Sequence, residues 1–222
     1  MRDRETEVVG EEGGYAYVFR PSPSRDHRTL LLLHGTGGDE RSLLGIGEQA
    51  LPGASLLGLR GRVLEDGKAR FFRRFALGVL DVDDLVRRAH EVAQAVRAVL
   101  SRRTGTAGPV VALGYSNGAN LAVGLLLLEP GLLQGVLLLR PMAALTPAAL
   151  PDLARIPVLV SGGRGDPYVP EEDPPRLFEL LRQAGAEVTL WWQESGHRFN
   201  AGEVAGLSEW LRGVFPAASG GR

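Results

Sequence analysis

The feature that most constrains the fold of this 222-residue chain is an alternation of short apolar runs with segments of helical periodicity. Short, continuous apolar runs are typical of strands that are buried on both faces of a parallel sheet. The sequence predicts such strands at 29–33, 54–59, 110–114, 135–139, 158–161 and 188–192. Two further strands, at 6–9 and 15–20, flank a glycine turn and predict an antiparallel hairpin ahead of them.

Helices are predicted between these strands, at 40–51, 81–101, 117–128, 174–184 and 201–215. Asp39 is a suitable N-cap for the first of these helices. Strands that alternate with helices imply βαβ units, and therefore a mostly parallel sheet with helices on both faces. We expect a single α/β domain over residues 1–222, with a glycine-rich tail at 216–222 that frays.

The composition narrows the functions that the chain can have. The absence of cysteine excludes a disulfide framework, a thiolate zinc site and a cysteine nucleophile. A net charge of −1 gives no basic excess for a nucleic-acid partner. The leucine-rich stretch at 121–139 is interrupted by Glu129 and Pro130, which favours buried elements over a membrane span. Residues 1–12 lack the apolar core of a secretory signal, so we expect a cytoplasmic protein with no membrane association.

Residues 60–80 break the alternation of strands and helices. The segment is rich in arginine and phenylalanine and has glycines at 61, 67 and 78. It predicts a long ordered loop, and loops of this length inside compact domains tend to be functional.

A Gly-x-Ser-x-Gly sequence, Gly114 to Gly118, joins the predicted strand at 110–114 to the predicted helix at 117–128. In that context the pattern is typical of a nucleophile elbow, a sharp turn that holds a serine hydroxyl above the carboxyl edge of the sheet. The following helix directs its N-terminal amides to the same place and favours negative charge there. Ser116 is therefore the candidate nucleophile, with a helix-capping serine as the alternative.

The predicted strand at 29–33 ends in a glycine-rich loop at 34–39. Acyl transfer through a serine forms an oxyanion that needs two hydrogen-bond donors. We assign these donors to the backbone N–H groups of Thr36 and of Asn117, the residue after the nucleophile. His34, at the strand end, is expected to be structural and to hydrogen-bond the loop backbone.

The candidate base is His197. A serine hydroxyl needs a base to take its proton, and His197 lies in the loop after the last predicted strand. The other histidines fit less well, because His27 lies in a polar loop ahead of the core and His90 lies in the middle of a helix.

The candidate acid is Asp166, which follows the predicted strand at 158–161 in a glycine-rich loop. A carboxylate here would hold the tautomer of the base and stabilise its charged form. Asp173 and Glu194 are rivals for this role. The chain order serine, aspartate, histidine is the order found in α/β-hydrolases.

With these motifs, the chain resembles the bacterial phospholipase/carboxylesterase family, which is related to acyl-protein thioesterases and dienelactone hydrolases. The resemblance covers nearly the whole chain. It is carried by the loop at 33–40, the elbow at 114–118, the sequences at 165–167 and 196–197, and the arginine–phenylalanine segment at 60–74. It implies an α/β-hydrolase fold with a minimal lid, and hydrolysis of small acyl or aryl esters without a cofactor or a metal. Dienelactone hydrolases usually carry a cysteine nucleophile, and the serine here departs from that pattern.

Specificity is expected to come from the segment at 60–80. We expect Phe71 and Phe72 to wall an apolar pocket and Arg60 or Arg73 to bind a substrate carboxylate, with loop anchoring and surface ion pairs as the alternative. The expected partner is a small-molecule ester, and a homodimer is left open. The same triad also serves thioesterases and lysophospholipases, and some receptors of this fold bind a small ligand with little turnover.

Overall fold

The computed structural model describes residues 7–24, 26–103 and 108–216, so the predicted tail lies outside the described residues beyond Pro216. The elements follow one another in an order that alternates strands and helices after an initial hairpin. They are β1 (Val8–Glu12), β2 (Tyr15–Arg20), β3 (Thr29–Leu33), α1 (Leu44–Ala50), β4 (Ser55–Leu59), β5 (Val63–Glu65), β6 (Lys68–Arg70), β7 (Arg74–Ala76), β8 (Val79–Leu80), α2 (Val82–Arg103), β9 (Val110–Tyr115), α3 (Asn117–Leu128), β10 (Gly135–Leu139), β11 (Pro157–Gly163), α4 (Asp173–Gln183), β12 (Glu187–Gln193) and α5 (Ala201–Val214).

Eight strands form the central sheet in the order β1-β2-β4-β3-β9-β10-β11-β12. β2 runs antiparallel to both of its neighbours, and every other neighbouring pair is parallel. The predicted N-terminal hairpin and the predicted mostly parallel sheet are both confirmed. The carboxyl ends of β3, β9, β10, β11 and β12 therefore lie together along one edge of the sheet.

Successive residues of a strand point to opposite faces of the sheet, so each central strand contributes to both halves of the core. On β3, Leu31 and Leu33 belong to the core cluster that α2, α3 and α4 cover. Leu30 and Leu32 belong to the cluster that α1 and α5 cover. Helices thus lie on both faces, as predicted. Within the described ranges all five helices belong to these two layers, so none forms a lid over the sheet edge.

The structure corrects the prediction for residues 60–80. Instead of a long loop, the segment forms two small antiparallel hairpins, β5–β6 and β7–β8. Asp66 and Gly67 join Glu65 to its partner Lys68 and have φ angles of 50° and 74°. A two-residue turn with positive φ at both positions matches the right-handed twist of the strands, and Asp-Gly is a preferred sequence for it.

Helix α1 begins later than predicted. The Asp39 carboxylate accepts hydrogen bonds from the Arg41 N–H at 3.0 Å and from the Ser42 hydroxyl at 2.7 Å. These bonds hold a turn ahead of the helix, which starts at Leu44. The other predicted helices and main-sheet strands agree with the structure to within three residues at each end. No helix in the described part of the chain is both long and apolar enough to cross a membrane.

Candidate active site

Ser116 lies in a tight turn between β9 and α3, with a φ angle of 53° and a ψ angle of −113°. This conformation is unfavourable for a residue that has a side chain, and the surrounding backbone holds it in place. The Ser116 N–H donates to the Leu139 carbonyl oxygen at 2.9 Å. A Cβ at Gly114 would lie 2.5 Å from the Gly118 oxygen, and a Cβ at Gly118 would lie 2.1 Å from the Leu33 oxygen. Close backbone approach therefore requires both glycines of the motif.

The three candidate triad residues lie in one hydrogen-bonded line. His197 Nε2 is 3.0 Å from Ser116 Oγ, and His197 Nδ1 is 2.7 Å from Asp166 Oδ2. The Asp166 side chain is 1% exposed. Its other oxygen accepts from the N–H groups of Tyr168 and Val169, at 2.8 and 3.2 Å. A buried carboxylate beside Nδ1 favours the tautomer that carries its proton there, which leaves Nε2 free to accept the serine proton.

The two rival carboxylates lie elsewhere. Asp173 is the first residue of α4, where burial raises the pKa of its carboxyl group. Glu194 is exposed. The carboxylate that contacts the His197 imidazole is that of Asp166.

The loop that carries His197 is fixed by Arg140, which directly follows β10. The Arg140 guanidinium is fully buried in a bidentate ion pair with Glu203 of α5, with both N–O distances 2.8 Å. It also donates to the carbonyl oxygens of Gly196 and Arg198, at 2.6 Å each, on either side of His197. The sequence does not predict this role, because the partners lie 56 to 63 residues away along the chain and nothing local to Arg140 signals them.

Two tyrosines flank the His197 imidazole. The Tyr115 ring centroid is 5.4 Å from the imidazole centroid, and the Tyr168 centroid is 4.8 Å from it. The Tyr115 hydroxyl donates to the His197 carbonyl oxygen at 3.1 Å, and burial raises the pKa of this phenol. The imidazole is thus held between aromatic walls, and its side chain is 16% exposed.

His34 has the structural role that its position predicts. Its ring is buried, with Nδ1 2.6 Å from the Gly35 oxygen and Nε2 2.9 Å from the Gly61 N–H. Because the Gly61 N–H can only donate, Nε2 must accept and the proton lies on Nδ1. Burial lowers the pKa of this imidazole, so the neutral form is favoured.

A cavity of about 440 Å³ opens beside Ser116 and His197. Thr36 and Asn117, which we predict as the two oxyanion donors, both line it. Its walls combine cationic and apolar side chains. The cationic side chains are Lys68, Arg70 and Arg74, from the hairpin segment at 60–80, and the ion-paired Arg140. The apolar side chains are Leu77, Leu80, Met142 and Val169.

The four residues predicted to bind substrate do not line this cavity in the described structure. Phe71 and Phe72 are fully buried in the core, and the Phe71 ring lies 4.7 Å from the His34 ring. Arg60 pairs with Glu40 at 2.6 Å, and Arg73 pairs with Asp81 at 2.9 Å. These contacts agree with the alternative given above, loop anchoring and surface ion pairs. The side chains of the segment at 60–80 that line the cavity are those of Lys68, Arg70, Arg74, Leu77 and Leu80.

Known proteins resemble this chain in sequence and in structure. The model of the dienelactone hydrolase family matches residues 74–209. MhqD of Bacillus subtilis strain 168, a protein named as a hydrolase, is 42% identical over 183 residues, which is 82% of this chain and 92% of MhqD. The Bacillus cereus carboxylesterase structure is 38% identical and covers 90% of this chain and 95% of its own, with a TM-score of 0.87. A carboxylesterase from Mesorhizobium loti is 30% identical and covers 94% and 100%, with a TM-score of 0.85.

Proposed function

Because the chain belongs to the dienelactone hydrolase family and has the α/β-hydrolase fold of carboxylesterases, we propose that it is a serine carboxylesterase acting on small acyl or aryl esters. The observation that carries this proposal is the hydrogen-bonded line from Asp166 through His197 to Ser116. The line ends at a cavity wall, where an ester carbonyl can reach the serine oxygen.

In the proposed reaction, Ser116 Oγ forms a bond to the ester carbonyl carbon while its proton passes to His197 Nε2. The tetrahedral intermediate then breaks its bond to the leaving alcohol, which takes the proton back from His197. A water molecule then attacks the acyl carbon and gives its proton to the same imidazole, which forms a second tetrahedral intermediate. This intermediate breaks its bond to Ser116 Oγ, which takes the proton back from His197, and the acid leaves. Asp166 stays ionised throughout and stabilises the charged imidazolium.

The oxyanion of both intermediates needs donors that are already in position. One proposed donor is the backbone N–H of Asn117. Asn117 is the first residue of α3, where the helix dipole also favours negative charge. The backbone N–H of Thr36 lies on the opposite loop, at the same cavity. Donors of this kind account for about 10² to 10³ in rate each in other hydrolases.

The size of the cavity supports small substrates. A volume of about 440 Å³ lies in the lower part of the range for small-molecule sites. The apolar wall formed by Leu77, Leu80 and Met142 suits a short alkyl or an aryl group.

The test is hydrolysis of p-nitrophenyl esters from acetate to palmitate by the wild-type protein and by Ser116→Ala, with Ser101→Ala as a matched control at the exposed end of α2. We expect steady turnover on short chains, its loss in Ser116→Ala and no change in Ser101→Ala. A preference for long chains would favour a lysophospholipase or thioesterase. Wild-type turnover no higher than that of Ser116→Ala on every chain length would contradict the proposal and favour a ligand receptor.

A further inference from the structure

We propose that Arg70 is a positioning residue for the oxyanion hole and acts through Thr36. The inference rests on the proposed function, since it needs the Thr36 backbone N–H to be an oxyanion donor. Arg70 Nη1 donates to Thr36 Oγ1 at 2.6 Å, a short distance typical of a charge-assisted hydrogen bond.

Three consecutive residues connect the hairpin segment to both proposed donor sites. The Ala69 carbonyl oxygen accepts from the Gly37 N–H at 2.8 Å, directly after Thr36. Arg70 holds the Thr36 side chain. The Phe71 N–H donates to Asn117 Oδ1 at 2.7 Å. The end of β6 and the residue after it thus join the loop after β3 to the first turn of α3.

The Arg70 guanidinium is itself held firmly. Its side chain is 3% exposed, Nε donates to the Phe72 carbonyl oxygen at 3.1 Å, and the Glu65 carboxylate lies 3.3 Å from Nε. A side chain fixed at several atoms has little conformational freedom left to lose when it bonds a further group. It is therefore a rigid anchor for the Thr36 hydroxyl.

The loop needs such an anchor because glycines surround Thr36. Gly37 has a φ angle of 85°, in the region that few other residues adopt, and Gly35 precedes Thr36 directly. A glycine-rich loop has more backbone freedom than other sequences. An oxyanion donor contributes to rate only when it is already aimed at the developing charge. Loss of the Arg70 anchor should therefore reduce the stabilisation of the transition state more than it reduces substrate affinity.

The experiment compares Arg70→Met, Thr36→Val and the double variant on p-nitrophenyl acetate. Thr36→Val removes the hydroxyl and keeps the backbone N–H. We expect each single variant to lower kcat about tenfold, less than the removal of a donor, with KM within about twofold because ground-state binding is unchanged. The double variant should be no slower than the slower single variant, because both changes break one interaction.

A second readout separates a positioning role from a general loss of structure. A trifluoromethyl ketone adds to Ser116 Oγ to give a tetrahedral oxyanion, while the serine proton passes to His197. Its affinity should fall in Arg70→Met by the same factor as kcat/KM, since both depend on the oxyanion donors. Arg62→Gln, an arginine of the same segment that bonds Gly13 and Glu91 away from the cavity, is the matched control and should leave both values unchanged.

Unchanged kcat in Arg70→Met, or losses that multiply in the double variant, would overturn the inference. If Arg70→Met does not fold, the comparison of kcat in Thr36→Val and Thr36→Ser tests the inference instead. Thr36 is exposed, so both variants should fold, and serine keeps the oxygen that accepts from Arg70. Only Thr36→Ser should then keep wild-type kcat, and equal values for the two variants would overturn the inference. Failure of the proposed function would be seen in a different variant, because Ser116→Ala would then keep its turnover.

Discussion

At the scale of single residues, the backbone around Ser116 is the most tightly determined part of the site. A side-chain-bearing residue at positive φ costs about 1 to 3 kcal/mol, and only a rigid environment keeps it there. That environment consists of backbone atoms, since both glycines of the elbow are approached by carbonyl oxygens at distances that no Cβ tolerates. The two glycines of the motif are thus required by the close packing of the backbone, in addition to the chemical role proposed for the serine between them.

Gly118→Ala tests this requirement. The new Cβ would lie 2.1 Å from the Leu33 oxygen, so α3 or β3 must shift. We expect a loss of about 1 to 3 kcal/mol in the free energy of unfolding, measured by urea denaturation, together with a large fall in kcat.

Gly213→Ala in α5 is the matched control, because nothing lies within 4 Å of a Cβ at that position. Alanine is also the better helix former. Gly213→Ala should therefore be neutral or slightly stabilising. A Gly118→Ala protein as stable and as active as Gly213→Ala would refute the packing argument.

Individual residues were predictable where a local pattern marks them. Ser116, Asp166 and His197 each follow a predicted strand, and strand ends meet at one edge of a parallel sheet. Arg140 has no such mark, because its role comes from α5 and from the loop after β12. The sequence does not determine which side chains at 60–80 face the cavity, because this depends on how the segment folds and not on its composition.

At the scale of elements, Arg140, which follows β10, joins α5 to the loop after β12 through buried contacts. Arg140 and Glu203 are both fully buried, so each charge depends on the other. Removing one partner of such a pair is far more costly than removing both, because the remaining charge stays buried without compensation.

Glu203→Gln should therefore destabilise the protein by about 3 to 5 kcal/mol and lower kcat, because the His197 loop loses its anchor. Urea denaturation and p-nitrophenyl acetate hydrolysis measure the two effects. Glu179→Gln is the control, since its pair with Arg182 is exposed and is expected to contribute at most about 1 kcal/mol. Equal stability of the two variants would show that the buried pair is unimportant.

Elements with a strong periodic pattern were predicted well from the sequence. The apolar runs and the amphipathic pattern of α2 come from burial, which the sequence records directly. The hairpin β5–β6 was missed although Asp66-Gly67 is a hairpin signal, because its short strands have no regular apolar alternation to support that signal. The start of α1 was misplaced because the Asp39 carboxylate stabilises a turn instead of capping a helix.

At the scale of the whole molecule, four adjacent parallel strands deliver one polar residue each to the same edge of the sheet. Ser116 follows β9, Arg140 follows β10, Asp166 follows β11 and His197 follows β12. β3, on the other side of β9, leads into the glycine-rich loop that carries Thr36. The sequence predicts the convergence of Ser116, Asp166 and His197, because the order of strands and helices implies a parallel sheet. It does not predict the cavity, whose walls come from hairpins and loops that lie far apart along the chain.

The central claim, that Ser116 is an activated nucleophile, is tested most directly with a fluorophosphonate probe, which phosphonylates an activated serine with loss of fluoride. Intact mass and peptide mapping give the number and position of the adducts, and p-nitrophenyl acetate turnover is followed in parallel. We predict one adduct per chain, on the peptide that contains Ser116, with turnover lost in proportion to labelling and no adduct in Ser116→Ala. Turnover that survives complete labelling of Ser116, or an adduct on another residue that abolishes it, would contradict the account.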